Sequence, residues 1–198
     1  MIVQIQGASG AGKSTLARLL MGHLEKLGAE REVLRAKDGR VLGYGFHLWR
    51  RQRERSLYFV GKYETPCGGC DQVGSSAEVA RRVRMWADKG DVLFEGLLLS
   101  GGQGSLGRYM LGYGPRFAYA FLDTPLEKCL KRVQARRDAR ARKRGLKRGE
   151  PLNPKNTTSK WRACQRYVEK AKALGYRVEV LGHRDPLPGL LKLLGWPR

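Results

Sequence analysis

The fold is decided by the stretch Gly7-Ala8-Ser9-Gly10-Ala11-Gly12-Lys13-Ser14-Thr15. The apolar, β-branched residues 2–5 before it predict a strand, and leucines at positions 16, 20, 24 and 27 after it predict a helix that ends at Gly28. A lysine and a serine behind spaced glycines, between a strand and a helix, match a phosphate-binding loop. The alternative is an ordinary glycine turn before a helix. We expect residues 7–15 to bind a nucleoside triphosphate.

The residue types in this loop explain the expected chemistry. Glycines allow consecutive backbone N–H groups to turn inward and bind anionic oxygens. Lys13 can reach the outer phosphates, the Ser14 hydroxyl can bind Mg²⁺, and the positive end of the helix dipole attracts the anion further. The sequence therefore predicts ATP and Mg²⁺ as cofactors.

The chain is strongly basic, with 39 Lys and Arg against 18 Asp and Glu and a net charge of +21 over 198 residues. An enzyme for free nucleotides needs only a few cations, whereas a field of this size attracts a polyanion and speeds its encounter. The alternative is a charged surface that serves solubility. We expect DNA or another nucleic acid as partner, and the oligomeric state is left open.

Length and composition favour one domain over residues 1–198 in the cytoplasm. A strand from residue 2 leaves no room for a signal peptide, and the apolar run 97–99 is too short to cross a bilayer, so no membrane partner is expected. Four cysteines are too few for a disulfide scaffold. Cys67 and Cys70 form one C-x-x-C pair. We interpret them as small residues in a tight loop, with a zinc site that includes His47 as the alternative.

Strand and helix patterns alternate along the chain, which predicts an α/β fold of three layers, a mostly parallel sheet with helices on both faces. Asp38-Gly39 between two β-prone runs predicts a hairpin. Residues 32–72 are expected to form a β-rich insertion that binds the substrate. Ser75 and Glu78 form a capping box before a helix. Thr124, Pro125 and Glu127 predict the start of another helix, from which an arginine-rich lid covers residues 132–156.

Three carboxylates are candidates for the chemistry. Glu95 ends the apolar strand 91–95, at the sheet edge where a phosphate loop binds its ligand, and is expected to assist Mg²⁺. Most phosphate-loop proteins have an aspartate at this position, the Walker-B aspartate, and Glu95 departs from that pattern. The alternative is therefore an ordinary acidic residue of a helix or turn. Asp71, in a glycine-rich loop, is our candidate for the base that takes the acceptor proton, with a solvated turn acid as its alternative. Asp38 could serve as that base, although a hairpin turn explains it better.

Arginines dominate the predicted lid, where eight of the thirteen residues 136–148 are Arg or Lys. Guanidinium groups match the oxygens of a transferring phosphoryl group, so we expect catalytic cations here and select Arg136 and Arg140. Arg132 and Arg137 are spaced to share a helix face with them. A solvated basic face, or contact with a nucleic-acid backbone, is the alternative.

Aromatic and basic residues alternate between positions 44 and 63, a pattern that favours nucleic-acid binding through stacking and phosphate contacts. The predicted contacts are Arg50, Arg51, Arg53, Arg55, Lys62 and Tyr63. The alternative is that the aromatic rings form the core of the β-rich insertion.

Several segments together resemble P-loop kinases of the nucleotide and polynucleotide kinase group. They are the loop 7–14, the strand end at 93–96, Asp123-Thr-Pro-Leu-Glu127, the arginine-rich lid and the last strand with Gly182-His183. More narrowly, residues 58–63 and 65–71 with Asn153-Pro-Lys-Asn156 resemble phage enzymes that phosphorylate 5-hydroxymethyluracil within DNA.

The resemblance implies a three-layer P-loop kinase fold and an ATP-dependent transfer to the hydroxymethyl oxygen of a base already in DNA. Such a base has to be flipped out of a duplex or lie in a single strand. The alternatives are a kinase for a free nucleotide or nucleoside and a nucleic-acid-dependent ATPase.

Overall fold

The computed structural model describes residues 1–50, 53–64, 68–96, 110 and 112–197, so Arg51 and Cys67 lie outside the described residues. The strands are β1 (Ile2–Gln6), β2 (Glu30–Arg35), β3 (Val41–Arg50), β4 (Arg53–Val60), β5 (Asp91–Glu95), β6 (Phe117–Asp123) and β7 (Arg177–Gly182). The helices are α1 (Lys13–Lys26), α2 (Ser76–Ala87), α3 (Leu126–Arg142), α4 (Pro154–Ala173) and α5 (Leu187–Leu194), with short 3₁₀ turns at Cys70–Gln72 and Gly114–Arg116.

The seven strands form one sheet in the order β2-β3-β4-β5-β1-β6-β7. From β4 to β7 all neighbours are parallel, whereas β2, β3 and β4 form an antiparallel meander at one side. The Asp38-Gly39 turn joins β2 and β3 as the sequence predicts, and Gly39 takes a φ of +77° that glycine adopts without strain. The prediction of a mostly parallel α/β sheet is confirmed.

Helices cover both faces of the sheet because alternate strand residues point to opposite sides. On one face, Val3 and Ile5 of β1 pack in a cluster with the leucines of α1 and α5. On the other, Val92 and Phe94 of β5 pack in a cluster with α2 and α4. None of the described helices is both long and apolar enough to pass through a membrane.

Strand direction separates the two edges of the sheet. The carboxyl ends of β1, β4, β5 and β6 share one edge, which is where the loop 7–12 leaves β1. Arg50, at the end of β3, and Arg53, at the start of β4, lie at the opposite, amino edge, because β4 starts beside the start of β5. An eight-residue strand such as β4 spans about 26 Å. The hairpin arginines are therefore far from the loop.

Helix starts follow the sequence with two differences. The Ser75 hydroxyl accepts the Glu78 backbone N–H at 3.2 Å and caps α2, as its capping box predicts. At α3, however, Pro125 occupies the cap position, and Thr124 bonds elsewhere. Helix α4 begins at Pro154 with Asn153 as its cap, inside the segment 151–156 for which the sequence indicates only a loop.

Arg55 fastens the sheet to the C-terminal segment. Its guanidinium donates to the Asp91 carboxylate at 2.8 and 3.1 Å and to the carbonyl oxygens of Leu194 and Gly195. Asp91 also accepts the indole N–H of Trp196 at 2.8 Å and pairs with the N-terminal ammonium group. Because these contacts use most of its donors, Arg55 is occupied in holding the fold. Its contact with nucleic acid stays a prediction that this pairing does not favour.

Glu78 gives the fold a measurable pH dependence. Its carboxylate accepts from Arg81 and from the buried Arg82, both at 2.7 Å, and these bonds lower its pKa to about 2. The folded pKa lies below the unfolded one, so the stabilisation is complete above about pH 5 and disappears as pH falls towards 2. We expect Glu78→Gln to lower Tm by about 2–4 °C at pH 7.

Thermal melts of both proteins from pH 7 to pH 3 measure this effect, and the gap in Tm should narrow below about pH 5. Glu169→Gln is the control, because the one ion pair of Glu169 among the described residues is with Lys172, on the exposed side of α4. A gap that stays constant over the whole range would contradict the assignment.

Candidate active site

The loop between β1 and α1 has a backbone that only glycine adopts easily. Gly10 and Gly12 have φ values of +84° and +106°, and Gly12 is the N-cap of α1. A side chain at Gly10 would overlap the carbonyl oxygen of Cys129 in α3. The glycine at position 10 therefore lets the loop pack directly against α3, and the first N–H groups of α1 have no partner within the helix.

Two side chains from the β6–α3 region hold this loop. The buried Thr124 hydroxyl donates to the carbonyl oxygen of Ala11 at 2.9 Å. Nη1 of Arg132 donates to the carbonyl oxygens of Gly10 and Ala11, both at 3.2 Å. The Trp161 indole N–H donates in turn to the Thr124 carbonyl oxygen at 2.9 Å, which fixes α4 to the same point.

The predicted phosphate ligands lie together around the loop. The Lys13 ammonium group donates to the carbonyl oxygens of Gly7 and Ala8, at 2.9 and 3.2 Å. Ala8 and Ala11 are buried, the side of the loop formed by Ser9 and Ser14 is half-buried, and Thr15 is exposed. A triphosphate in the loop would offer Lys13 stronger, charged acceptors than these carbonyl groups.

Glu95, at the end of β5, is the most unusual ionisable group near the loop. It is 2% exposed, and among the described residues neither carboxylate oxygen has a hydrogen-bond partner. Burial raises its pKa to about 7, which the Ser14 hydroxyl and the Lys13 ammonium group oppose. The amide of Gln4 donates to the Gly96 carbonyl oxygen at 3.1 Å and aligns the end of β5 with β1.

This carboxylate suits a cation. A buried carboxylate without donors beside a serine hydroxyl presents free oxygen ligands, which hard cations such as Mg²⁺ prefer. Among the described residues there is no cluster of three or more His, Cys, Asp or Glu side chains that could hold a metal by themselves. The arrangement fits a Mg²⁺ that takes one or two protein ligands and completes its shell with phosphate oxygens and water.

Asp71 approaches Glu95 from the 3₁₀ turn Cys70–Gln72. A Cβ built on Gly96 would lie 3.0 Å from Oδ1 of Asp71, and the negative charge of Asp71 contributes to the raised pKa of Glu95. Asp71 itself is exposed. The structure thus brings together Lys13, Ser14, Glu95 and Asp71, which lie far apart in sequence, at the carboxyl edge.

Cys70 lies under the same turn and is inert. It is 2% exposed, and burial raises the pKa of its thiol above the usual range. No metal-ligand cluster includes it among the described residues, and its partner in the C-x-x-C pair lies outside them.

Asp38 occupies the β2–β3 turn instead. Its carboxylate accepts the Arg40 backbone N–H at 3.0 Å and pairs with the Arg40 guanidinium at 3.2 Å, and the backbone bond lowers its pKa. The turn lies at the carboxyl edge, but β3 is three strands away from β1, about 14 Å. The structure does not bring Asp38 to the other candidates.

The lid arginines lie along α3, with Arg132 against the loop. Arg136 and Arg140 follow one and two turns later on the same side of the helix, and both make further contacts within the protein. Arg137 points elsewhere and donates to the Pro151 carbonyl oxygen at 3.0 Å. The sequence favours Arg136 and Arg140 as the catalytic cations, whereas in the fold Arg132 lies nearest the loop.

The predicted nucleic-acid contacts are divided between the two edges. Arg50 and Arg53 lie at the amino edge with Arg55. Lys62 follows β4 at the carboxyl edge, where it forms a bridge with Gly69. Tyr63 is 4% exposed and packs against Phe59 with ring centroids 6.2 Å apart, so its ring is not available to stack on a base in this structure.

Thr124 is the site residue that sequence reasoning missed, since we interpreted it only as a helix cap. A hydroxyl at the end of a buried strand is also placed to bond a neighbouring loop at the same edge, which is the signal that could have identified it. Arg18 is a second such residue. It lies one turn after Ser14, donates to the Tyr63 carbonyl oxygen at 3.4 Å and lowers the pKa of Glu95.

Comparison with known proteins gives two relatives over most of the chain. A 5-hmdU DNA kinase of Pseudomonas phage PaMx11 is 36% identical over 180 residues, which are 89% of this chain and 88% of the relative. A 5-hmdU DNA kinase of Pseudomonas phage M6 is 27% identical over 184 residues, with the same coverage. A deoxyadenosine kinase from M. mycoides, solved with bound dATP, is 12% identical with a TM-score of 0.49 over 98% of this chain and 97% of its own. No model of a known protein family matches the chain.

Gly10→Ala tests the loop geometry. The added methyl group would require a strained backbone and would overlap Cys129, so we expect nucleotide affinity to fall by about tenfold or more while the fold persists. Gly22→Ala in α1 is the matched control, because a Cβ there meets nothing within 4 Å. It should leave affinity unchanged and raise stability by about 0.5–1 kcal/mol. Calorimetric titration with Mg-ATP and thermal melts measure both, and equal affinity losses in the two variants would contradict this interpretation.

Proposed function

The chain belongs to the family of 5-hmdU DNA kinases, and from this premise we propose that it transfers the γ-phosphoryl group of ATP to the hydroxymethyl oxygen of 5-hydroxymethyluracil in DNA. The net charge of +21 supports a polymeric substrate over a free nucleotide. A nucleic-acid-dependent ATPase is supported less well, because both relatives are named as kinases.

One observation carries the proposal: the phosphate loop, a buried carboxylate and an exposed carboxylate meet at one sheet edge, and the buried one has no hydrogen-bond partner in the described part of the chain. Lys13 and Ser14 are the expected ligands of the triphosphate and its metal ion, and Glu95 is the second group for that ion. Asp71 lies on the solvent side of Glu95, where an acceptor could approach. Phosphoryl transfer requires such a set of groups. Lys13, Ser14 and Glu95 would bind the phosphate donor and its metal ion, and Asp71 would act as the base for the acceptor.

In the proposed reaction, Asp71 takes the proton of the hydroxymethyl group as its oxygen attacks the γ-phosphorus. A new oxygen–phosphorus bond forms, the bond between the γ-phosphorus and the bridging oxygen breaks, and ADP leaves. Mg²⁺, when bound, neutralises phosphate charge. Lys13 would orient the outer phosphates, and Ser14 and Glu95 would hold the ion.

The lid arginines would stabilise the transferring group. The negative charge of the transition state spreads over the phosphoryl oxygens, and one guanidinium group can donate hydrogen bonds to two of these oxygens at once. Arg132 already contacts the loop at Gly10 and Ala11, and Arg136 follows on the next turn. We propose that Arg132 holds the loop through Gly10 and Ala11 and that Arg136 and Arg140 close over the phosphates.

Labelled ATP offered to matched substrates tests the function. The substrates are oligonucleotides of one sequence with 5-hydroxymethyluracil or thymine at one position, the corresponding RNA, and the free nucleotide 5-hydroxymethyl-dUMP. We expect label in the 5-hydroxymethyluracil DNA alone. Label in the free nucleotide with none in DNA would favour the nucleotide kinase, and ATP hydrolysis without any labelled acceptor would favour the ATPase.

Asp71→Asn tests the proposed base. Asparagine keeps the shape of the side chain but cannot take a proton, so we expect single-turnover transfer to fall by about two orders of magnitude or more with little change in ATP affinity. Asp38→Asn is the control: it should lower Tm slightly, because Arg40 loses its charged partner, and leave transfer unchanged. If Asp38→Asn abolishes transfer without lowering the Tm and Asp71→Asn transfers normally, the two roles are assigned the wrong way round.

A further inference from the structure

The positive charge of the protein is concentrated beside the lid. Residues 126–173 contain 17 Lys and Arg against four Asp and Glu, so 48 residues carry +13 of the total of +21. This segment comprises α3, α4 and the connection between them. A polyanion approaching the protein is drawn to this side first.

One face of α4 has the composition of a phosphate-binding surface. A groove of about 440 Å³ runs along this helix and is lined by Pro154, Lys155, Thr158, Ser159, Arg162 and Arg166. The spacing of these residues places them on one side of the helix. We call this surface the α4 track. It combines three cations with two hydroxyl groups and contains no acidic side chain among its described lining residues.

The three cations of the α4 track are not used by the fold. In the described part of the chain, the side chains of Lys155, Arg162 and Arg166 have no hydrogen bond or ion pair. Arginines that stabilise the fold have carboxylate partners: Arg55 pairs with Asp91, and Arg82 pairs with Glu78. Cations aligned without counter-charges are the arrangement that a row of phosphates neutralises.

The position of the α4 track relates it to the active site. Helix α4 ends in a tight turn before β7, which starts at the amino edge, so the Lys155 end of the track lies towards the carboxyl edge. Trp161, within the track's span, bonds Thr124, which itself holds the phosphate loop. From Lys155 to Arg166 the helix rises about 16 Å, the length of several backbone phosphates.

We propose that the α4 track binds the phosphodiester backbone of the substrate DNA and delivers the strand to the active site. The inference rests on the proposed function for its polymer substrate. It moves the expected DNA surface away from Arg50 of β3 and Arg53 of β4, which lie at the opposite edge of the sheet. The hydroxyl groups of Thr158 and Ser159 add phosphate contacts without base specificity.

Two charge-matched triple variants test the α4 track. The first is Lys155→Ala with Arg162→Ala and Arg166→Ala. The second, at the amino edge, is Arg50→Ala with Arg53→Ala and Lys89→Ala, three exposed cations that likewise lack partners in the described part of the chain. Both lose three positive charges, so a difference between them reports position and not net charge.

Fluorescence anisotropy with a labelled single-stranded oligonucleotide containing 5-hydroxymethyluracil measures affinity between 50 and 200 mM salt. We expect the α4 variant to lose about tenfold or more in affinity and its salt slope to flatten by about 2, since each single-strand phosphate contact contributes about 0.7. The amino-edge variant should retain most of the DNA affinity and most of the salt slope of the wild-type protein. In steady-state assays, the α4 variant should have a raised KM for DNA and an unchanged KM for ATP. The single substitution Arg162→Lys keeps the positive charge and should preserve DNA binding.

The outcomes separate this inference from the proposed function. If the wild-type protein phosphorylates the DNA, and the α4 variant retains affinity and slope or the amino-edge variant loses as much, the α4 track is overturned and the kinase assignment stands. If the wild-type protein binds DNA through the α4 track but transfers no phosphate, the kinase assignment fails and the track stands. Thermal melts of both variants identify any loss that comes from unfolding.

Discussion

The hydrogen bond from Thr124 to the Ala11 carbonyl oxygen is the constraint on which the site depends. A loop that turns its N–H groups towards an anion must turn some carbonyl groups away, and those need donors inside the protein. Thr124 and Arg132 supply these donors, and the close approach of Gly10 to Cys129 brings them within reach. The phosphate loop, the lid helix and α4, through Trp161, therefore form one connected unit.

At the same edge of the sheet, the buried carboxylate of Glu95 has no cation paired with it among the described residues. Neither of its carboxylate oxygens has a hydrogen-bond partner in the described part of the chain, which costs free energy in a protein that has cations to spare. Arg55 and Arg82, by contrast, are paired with carboxylates where they hold the fold together. A carboxylate left unpaired beside Ser14 and Lys13 is explained best by an ion that arrives with the nucleotide, since perturbed groups of this kind concentrate at functional sites.

Local sequence determined most of the secondary structure, because those signals act over a few residues. The glycine loop, the Ser75 cap and the Asp38-Gly39 turn all form where their residues predict them. The start of α4 was missed, since Asn153 and Pro154 suit both a loop and a helix start and only packing of Tyr167 and Val168 against the sheet decides between them. The sequence also established the basic character and the family resemblance, which depend on composition and short motifs.

Tertiary structure decided which residues share a site. Strand order places Asp38 three strands away from β1, whereas Asp71 comes to lie beside Glu95, although the sequence made both aspartates candidates for the same base. Strand direction places the hairpin arginines at the edge opposite the loop, while Lys155, Arg162 and Arg166 come to lie in line beside the lid. The sequence by itself determined that the protein has a phosphate loop and an excess of cations. Which cations face the site and which hold the fold depends on long-range pairing, and no local pattern encodes that.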